Sequence, residues 1–134
     1  MKPIAVGTRH VYRIETGDRH TAEHYGNDGV AVVATPVLIG FLETAAHECI
    51  AASYEAGEGS VGTAVNVRHL AAALPGAVVL AEARVTAVDG RRVDFAVEAR
   101  VGEKLLMAGT HGRAVVDLRR FLASLGAAPS PKSP

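Results

Sequence analysis

The feature that most constrains the fold is a long, mainly apolar stretch from Thr35 to Ser53. Its opening Thr35-Pro36 pair is typical of a helix start, because a threonine hydroxyl can cap free amide groups and proline has no amide hydrogen to lose. The residues that follow are apolar on all sides rather than along one stripe, and a helix of that kind is buried. The sequence therefore predicts a buried central helix.

Glu43 is the one charged side chain in the first turns of this stretch. A buried carboxylate without a partner costs free energy, so Glu43 is expected either to have a hydrogen-bonding partner or to take part in chemistry. A partly exposed glutamate beside a dimer seam is the structural alternative. For Thr35, the corresponding alternative is that its hydroxyl only caps the helix.

The composition excludes several classes of partner. Among 134 residues, 14 basic side chains balance 14 acidic ones, so no positive excess favours nucleic acid or an anionic membrane surface. No stretch has the length and hydropathy of a membrane span, and the N-terminus lacks the apolar run of a signal peptide. The single cysteine, Cys49, cannot form an internal disulfide and fits a reducing compartment. A cytoplasmic protein is therefore expected.

Alternation of apolar and polar residues predicts strands on both sides of the helix. The predicted strands are Gly7–Glu15, Val61–Ala71, Ala77–Val88, Arg92–Val101 and Lys104–Asp117. Asp89-Gly90 is typical of a hairpin turn, and Leu118–Leu125 is predicted to form a short closing helix. We expect one domain over residues 1–125, followed by a small, proline-rich and mobile tail over 126–134.

The order of these elements predicts the architecture. Strands joined by tight turns form an antiparallel sheet, and a helix that is apolar on all sides is covered only if the sheet curls round it. The chain is therefore predicted to be an α+β protein of the hot-dog type, with an antiparallel sheet wrapped around a long central helix. Open sheet edges favour pairing with a second copy, so we expect a homodimer, with a tetramer as a further option.

Polar residues of the helix and of the first strand after it point into one layer. Strict alternation places His69 on the strand face that meets the helix and Gly62 on the opposite face. Thr35 lies at the helix N-terminus, where free amides favour a carbonyl oxygen that develops negative charge. Together with Glu43, this hydroxyl and imidazole suit acyl transfer or hydrolysis. A satisfied core or interface histidine is the alternative for His69.

The remaining polar residues give weaker indications. His20 and His24 recur at helical spacing, but no cluster of further ligand residues accompanies them, so we expect no metal site and no cofactor. His111 and Arg113 alternate onto one face of the last strand, where Arg113 can meet an anionic group or a carboxylate across the sheet. The glycines near residue 60 precede a strand rather than a helix, which excludes a phosphate-binding loop.

Several segments carry a resemblance to a known family when they are taken together. They are Ala34–Glu43, Gly57–Ala64, Val67–His69, Ala72–Gly76, Asp89–Arg92 and Gly109–Val115. In these segments the chain resembles the hot-dog thioesterases of the fluoroacetyl-CoA thioesterase type. The resemblance implies a dimeric enzyme that cleaves the thioester of an acyl-CoA. It also implies a catalytic set, Thr35, Glu43 and His69, and a substrate site that includes Gly62 and Arg113.

The resemblance leaves the roles of the catalytic set open. Glu43 either attacks the thioester carbonyl or acts as a base toward water, and Thr35 either polarises the carbonyl or serves as the nucleophile. His69 either orients the carboxylate or protonates the departing thiolate. Val30–Val33 is aliphatic where the fluoroacetyl enzyme carries phenylalanines in its lid. We therefore expect a short- or medium-chain acyl-CoA substrate rather than selectivity for fluoroacetyl-CoA.

Two other functions remain compatible with the same arrangement. A hot-dog enoyl-CoA hydratase or dehydratase usually needs an Asp–His pair at a loop–helix junction, and only His24 and Asp28 come near to supplying one before Thr35. A non-catalytic acyl-CoA-binding module would bind acyl-CoA and leave it intact. Analysis of the products separates these functions, because only a hydrolase releases free CoA.

Overall fold

The computed structural model describes residues 1–127 and consists of a five-stranded antiparallel sheet packed on one long helix. The strands are β1 (Arg9–Glu15), β2 (Glu58–His69), β3 (Val78–Asp89), β4 (Arg92–Val101) and β5 (Lys104–Asp117), and the helices are α1 (Thr35–Ile50) and α2 (Leu118–Ser124). This agrees with the predicted α+β architecture. The predicted tail, 126–134, lies outside the described residues from residue 128 onward. Within the described part, no helix has the length and apolar character needed to cross a membrane.

The strands lie in the order β1-β3-β4-β5-β2 across the sheet. The β3–β4 and β4–β5 hairpins turn at Gly90 and Gly102, both of which have positive φ. The predicted run of consecutive hairpins is wrong at one connection, because β2 pairs with β5 and not with β3. The connection over 70–77 is too long for a tight turn, and it takes the chain from one edge of the sheet to a position beside β1.

The buried stripe of α1 packs mainly on β1, β3 and β4. The stripe consists of Val37, Leu38, Leu42, Ala45, Ala46 and Ile50. The prediction of a helix buried on all sides is wrong for the single protomer, in which Thr35, Pro36 and His47 are exposed and the Glu43 side chain is 42% exposed. One sheet covers one stripe of a helix, so the opposite side of α1 stays open.

A β-bulge in β2 changes which residues face the helix. The pairing of β2 with β5 shifts register between Gly62 and Ala64. On the N-terminal side of the shift, Gly62 lies directly opposite Arg113 of β5. Residues directly opposite each other share a face of the sheet, and the Arg113 side chain reaches α1, so Gly62 faces α1 as well. The prediction that Gly62 and His69 lie on opposite faces is therefore wrong, because an extra residue reverses the alternation that a regular strand would keep.

β2 forms one edge of the sheet and is open along its middle. Residues 62–66 are all exposed, including Val65, which is 43% exposed. An edge strand presents unpaired backbone groups, and an exposed apolar residue beside them favours pairing with another chain. The homodimer that the sequence predicts remains a prediction, and β2 is the edge at which it would form.

Candidate active site

Thr35 meets His69 where α1 begins. Ala34 is the residue that precedes the helix in extended conformation, and Thr35 is the first helical residue. The Thr35 hydroxyl lies 2.7 Å from His69 Nδ1. No side chain caps the helix, so the interpretation of Thr35 as only a helix cap is wrong. We call Thr35 and His69 the helix-start pair.

The second ring nitrogen of His69 is buried. Nε2 has no hydrogen-bond partner among the described residues. A buried polar atom without a partner costs free energy, and such atoms are rare outside functional sites and interfaces. The alternative of a satisfied core histidine is therefore wrong for the protomer, because one of the two ring nitrogens is unsatisfied. The imidazole has an open hydrogen-bonding position beside a threonine hydroxyl.

Glu43 lies further along α1 and makes different contacts. Its Oε2 is 3.5 Å from Arg113 Nη1, so the carboxylate forms an ion pair across to β5. A Cβ placed on Gly62 would come within 2.6 Å of the same Oε2 atom, a distance that real Cβ atoms essentially never show. Gly62 thus leaves the space that the carboxylate occupies. Glu43 thus has a partner, which is one of the outcomes expected for it, but it is partly exposed rather than buried.

The Arg113 guanidinium is held on several sides. Its Nε donates to Ser60 Oγ at 2.8 Å and its Nη2 donates to the Ser60 carbonyl at 2.9 Å. Its Nη1 lies 3.2 Å from His111 Nε2 as well as near Glu43. The side chain is only 8% exposed, so these contacts replace water around the charge. The carboxylate that meets Arg113 belongs to α1, and not to a strand across the sheet as expected.

His111 lies against the other side of Arg113. Its Nδ1 is 2.7 Å from the Ala64 carbonyl, which can only accept, so Nδ1 carries the proton and Nε2 accepts from Arg113. Burial lowers the pKa of His111; the hydrogen bond to Ala64 opposes this shift, and the positive charge of Arg113 adds to it. His111 is therefore neutral near pH 7. We call Glu43, Ser60, Gly62, His111 and Arg113 the mid-helix cluster.

The helix-start pair and the mid-helix cluster are separate in one protomer. Thr35 and Glu43 are about 12 Å apart along the helix axis, at ~1.5 Å per residue. Gly62 and His69 are roughly 23 Å apart along β2, at ~3.3 Å per residue. In one protomer, Thr35 is bonded to His69, while Glu43 contacts Arg113 and Gly62. Glu43 and His69 therefore have different hydrogen-bond partners.

Sequence reasoning missed two members of this network. The predicted strand begins at Val61 and so excludes Ser60, whereas β2 begins at Glu58 and Ser60 lies within it. Tyr54, just after α1, places its hydroxyl 2.5 Å from Ser60 Oγ. No local pattern marks either residue, since both gain their meaning from a β5 side chain distant in sequence. Among residues 1–127, no group of His, Cys, Asp or Glu has the geometry of a metal site.

The comparison with known proteins decides the family. Residues 17–119 match the family of fluoroacetyl-CoA-specific thioesterases, FlK. The chain belongs to this family. A fluoroacetyl-CoA thioesterase of Streptantibioticus cattleyicolor is 42% identical over 94 residues, which cover 70% of this chain and 68% of that relative.

Solved structures of the FlK family align with nearly the whole chain. One structure of the fluoroacetyl-CoA thioesterase FlK has a TM-score of 0.86 at 34% identity and covers 93% of this chain and 97% of its own. A FlK variant in complex with acetyl-CoA has a TM-score of 0.87 at 33% identity, with 92% and 97% covered. A Thermus thermophilus thioesterase superfamily member has a TM-score of 0.86 at 30% identity, with 94% and 93% covered. This FlK-family chain is accordingly an acyl-CoA thioesterase with the hot-dog fold.

Proposed function

We propose that the protein hydrolyses a short- or medium-chain acyl-CoA to the free acid and CoA, with Thr35, Glu43 and His69 as the catalytic set. The observation that carries the proposal is the 2.7 Å contact between the Thr35 hydroxyl and His69 Nδ1 at the N-terminus of α1. The positive end of the α1 dipole at this point stabilises the negative charge that develops on a thioester carbonyl oxygen. A hydroxyl and an imidazole therefore meet at a helix end that favours an oxyanion.

We also propose that the active site is completed by a second copy of the chain. An antiparallel β2–β2 pairing centred between Val65 and Asn66 brings Gly62 of one protomer close to His69 of the partner subunit. Glu43, which packs against Gly62, then lies near an imidazole whose Nε2 has no partner among the described residues of the protomer. The same pairing covers the open edge of β2.

In this dimer each residue has a distinct task. Glu43 either takes a proton from water that attacks the thioester carbonyl, or attacks the carbonyl itself to form an acyl-enzyme anhydride that water then cleaves. The Thr35 hydroxyl and the positive end of the α1 dipole hold the carbonyl oxygen, and His69 gives a proton to the departing CoA thiolate. Arg113 lies on the acyl-CoA side of the Glu43 carboxylate, and Gly62 leaves room for that carboxylate.

A single turnover in H₂¹⁸O distinguishes the two roles of Glu43. If water attacks directly, the first product acid carries ¹⁸O. If the carboxylate attacks and water then cleaves the anhydride at the Glu43 carbonyl carbon, the first product acid carries ¹⁶O from Glu43 and the label is found in the protein. Cleavage at the acyl carbonyl would label the acid instead, so label in the protein is the outcome that identifies Glu43 as the nucleophile. Mass spectrometry of the acid and of the peptide that contains Glu43 reads both outcomes.

The acyl group is inferred from the segment before α1. Val33 is buried, and the segment is tied to the preceding loop by a bridge to Thr21 and by a hydrogen bond from Ala22 N to the Val32 carbonyl. Its side chains are aliphatic, so no aromatic edge is available there to meet a C–F bond. A pocket wall of this kind favours simple acyl chains. Fluoroacetyl-CoA and acetyl-CoA are expected to be cleaved at similar rates.

A panel of acyl-CoAs with release of free thiol as the readout tests the activity. The wild-type protein is expected to release CoA from short- and medium-chain substrates, and Glu43→Gln is expected to lose at least ~100-fold in kcat. Glu103→Gln, which removes an exposed carboxylate in the β4–β5 turn, is the matched control.

Release of thiol by Glu43→Gln at the wild-type rate would contradict the role of Glu43. Loss of the enoyl absorbance without free thiol would identify a hydratase, and binding without turnover a non-catalytic module.

A further inference from the structure

Every nitrogen of the Arg113 guanidinium has a partner within the protein. Ser60 supplies two of these contacts, since its hydroxyl accepts from Nε and its carbonyl accepts from Nη2. His111 and Glu43 both lie against Nη1. The two Ser60 contacts fix the plane of the guanidinium, and the plane determines where Nη1 points.

Ser60 is itself held from behind. Its hydroxyl lies 2.5 Å from the Tyr54 hydroxyl, which in turn lies 3.0 Å from His47 Nδ1 on α1. The rings of His47 and Tyr54 pack 5.7 Å apart, centroid to centroid. A continuous row of hydrogen bonds therefore runs from the outer part of α1 through Tyr54 and Ser60 to Arg113. In such a row each bond polarises and orients the next.

The hydrogen bonds from Ser60 matter because the Arg113 guanidinium is a buried cation. Arginine has many rotamers, and fixing one of them in a site costs entropy that specific hydrogen bonds must offset. Without the Ser60 hydroxyl, Nε would be a buried charged donor without a partner, an arrangement that costs more than the bond itself contributes. The guanidinium would then be expected to rotate, which moves Nη1 away from Glu43.

We propose that Ser60, supported by Tyr54, is a positioning residue that aims Arg113 at the Glu43 carboxylate. Neither residue touches the substrate in this proposal. Both act through the orientation of the guanidinium, and thus through the place of the carboxylate in the site. The inference rests on the proposed function, in which Glu43 belongs to the catalytic set.

Solution NMR of the ¹⁵N-labelled protein tests the positioning independently of activity. The Nε–H signal of Arg113, assigned by its loss in Arg113→Lys, is expected to exchange slowly with water because it is buried and bonded to Ser60. Ser60→Ala is expected to abolish this protection, and Tyr54→Phe to reduce it. Ser124→Ala, which removes an exposed hydroxyl bonded to the Phe121 carbonyl, is the control and should leave the signal unchanged. An unchanged Arg113 signal in Ser60→Ala would overturn the proposal.

Steady-state kinetics test the consequence for catalysis. Ser60→Ala is expected to lower kcat about tenfold with little change in KM, as for the loss of one hydrogen bond to a charged group. Ser60→Thr, which keeps the hydroxyl, should restore most of the rate. In an Arg113→Lys background, Ser60→Ala should cause no further loss, because lysine has no Nε–H for the hydroxyl to accept.

The possible outcomes separate this inference from the proposed function. A wild-type protein that cleaves no acyl-CoA would contradict the proposed function, while the NMR signal would still decide whether Ser60 orients Arg113. An active wild-type protein whose Ser60→Ala variant has full kcat would contradict the positioning role alone. Equal losses for Ser60→Ala in the wild-type and Arg113→Lys backgrounds would show that Ser60 acts by another route.

Discussion

The helix-start pair and the mid-helix cluster both include residues of α1 and β2, but they differ in how fully their buried polar atoms are hydrogen-bonded. The mid-helix cluster is connected within one protomer, with a buried arginine in which each of the three guanidinium nitrogens has a hydrogen-bond partner. The helix-start pair has one hydrogen bond, an exposed threonine and a buried ring nitrogen without a partner in the described chain. This contrast is the basis of the proposal that the carboxylate side of the site forms on folding and the imidazole side on dimerisation.

The largest effect is expected from mixing two inactive variants. Glu43→Gln and His69→Ala are each expected to be inactive as homodimers. If each site takes its glutamate from one protomer and its histidine from the other, a mixed dimer has one intact site. Equal mixing after exchange of subunits should then give about a quarter of the wild-type rate, because about half of the dimers are mixed and one of their two sites works. Thiol release before and after exchange measures this.

The same mixture can contradict the proposal that the two regions meet across the dimer. If both regions served one site within a single protomer, no mixed dimer would contain an intact set and the rate would stay at background. Size-exclusion chromatography with light scattering, run on the same samples, shows whether dimers are present. A monomeric protein with full activity would exclude a site shared between protomers.

Gly62→Ala is the next most disruptive change, and within one protomer it acts on the mid-helix cluster. The new Cβ would lie 2.6 Å from Glu43 Oε2, so the carboxylate must move. Because Oε2 is the end of a flexible side chain, we expect little change in the free energy of unfolding but a loss of about 100-fold in kcat, similar to the removal of the base. Thermal unfolding and thiol release measure the two effects on one sample.

Gly17→Ala is the control for this change. Its φ is −147° and a Cβ there would meet no atom within 4 Å, so neither stability nor rate should change appreciably. A Gly62→Ala enzyme with the wild-type kcat would show that the position of the carboxylate near Gly62 is unimportant.

Acidification should weaken the mid-helix cluster through His111. The pKa of His111 is lowered from 6.5 by burial, against the effect of the Ala64 hydrogen bond and with that of the Arg113 charge. The neutral imidazole is thus favoured by the fold, and its contribution to stability is fully present above pH 6.5 and is lost as the pH falls through the lower, folded-state pKa. Arg113 and Glu43 are the charged groups that face the ring, and Phe95 stacks on it.

Urea unfolding at a series of pH values measures this loss. The free energy of unfolding of the wild type should fall as the pH drops below about 6.5, and the fall should be smaller in His111→Gln, which keeps a donor and an acceptor but does not titrate in this range. Parallel curves for the two proteins would exclude His111 as the source.

The smallest effect is expected far from both regions. Asp117 precedes α2 and its Oδ1 accepts from Arg120 N at 2.9 Å, a helix cap. Asp117→Ala should lower the free energy of unfolding by about 1 kcal/mol and leave kcat unchanged. Chemical unfolding and thiol release check this. A loss of rate comparable to that of Gly62→Ala would mean that the two regions are not the main determinants of catalysis.

Much of the fold follows from local signals in the sequence. The bounds of β4 and β5 are the predicted ones, because alternation and turn residues mark both ends of each strand. The start of α1 at Thr35 is also the predicted one. The start of β2 was placed three residues too late, at Val61 instead of Glu58, since Gly57 and Gly59 have the appearance of a loop. That error placed Ser60 outside the sheet and hid its contact with Arg113.

The sequence by itself determined the α+β fold class, one long helix and the face of β2 on which His69 lies, because these depend on residue spacing along the chain. Only the tertiary structure decided that Gly62 shares that face and that Thr35 bonds His69 rather than capping the helix. It likewise decided that Glu43 is paired with Arg113. A bulge and contacts between distant elements depend on how strands pair in three dimensions, and no local pattern encodes that pairing.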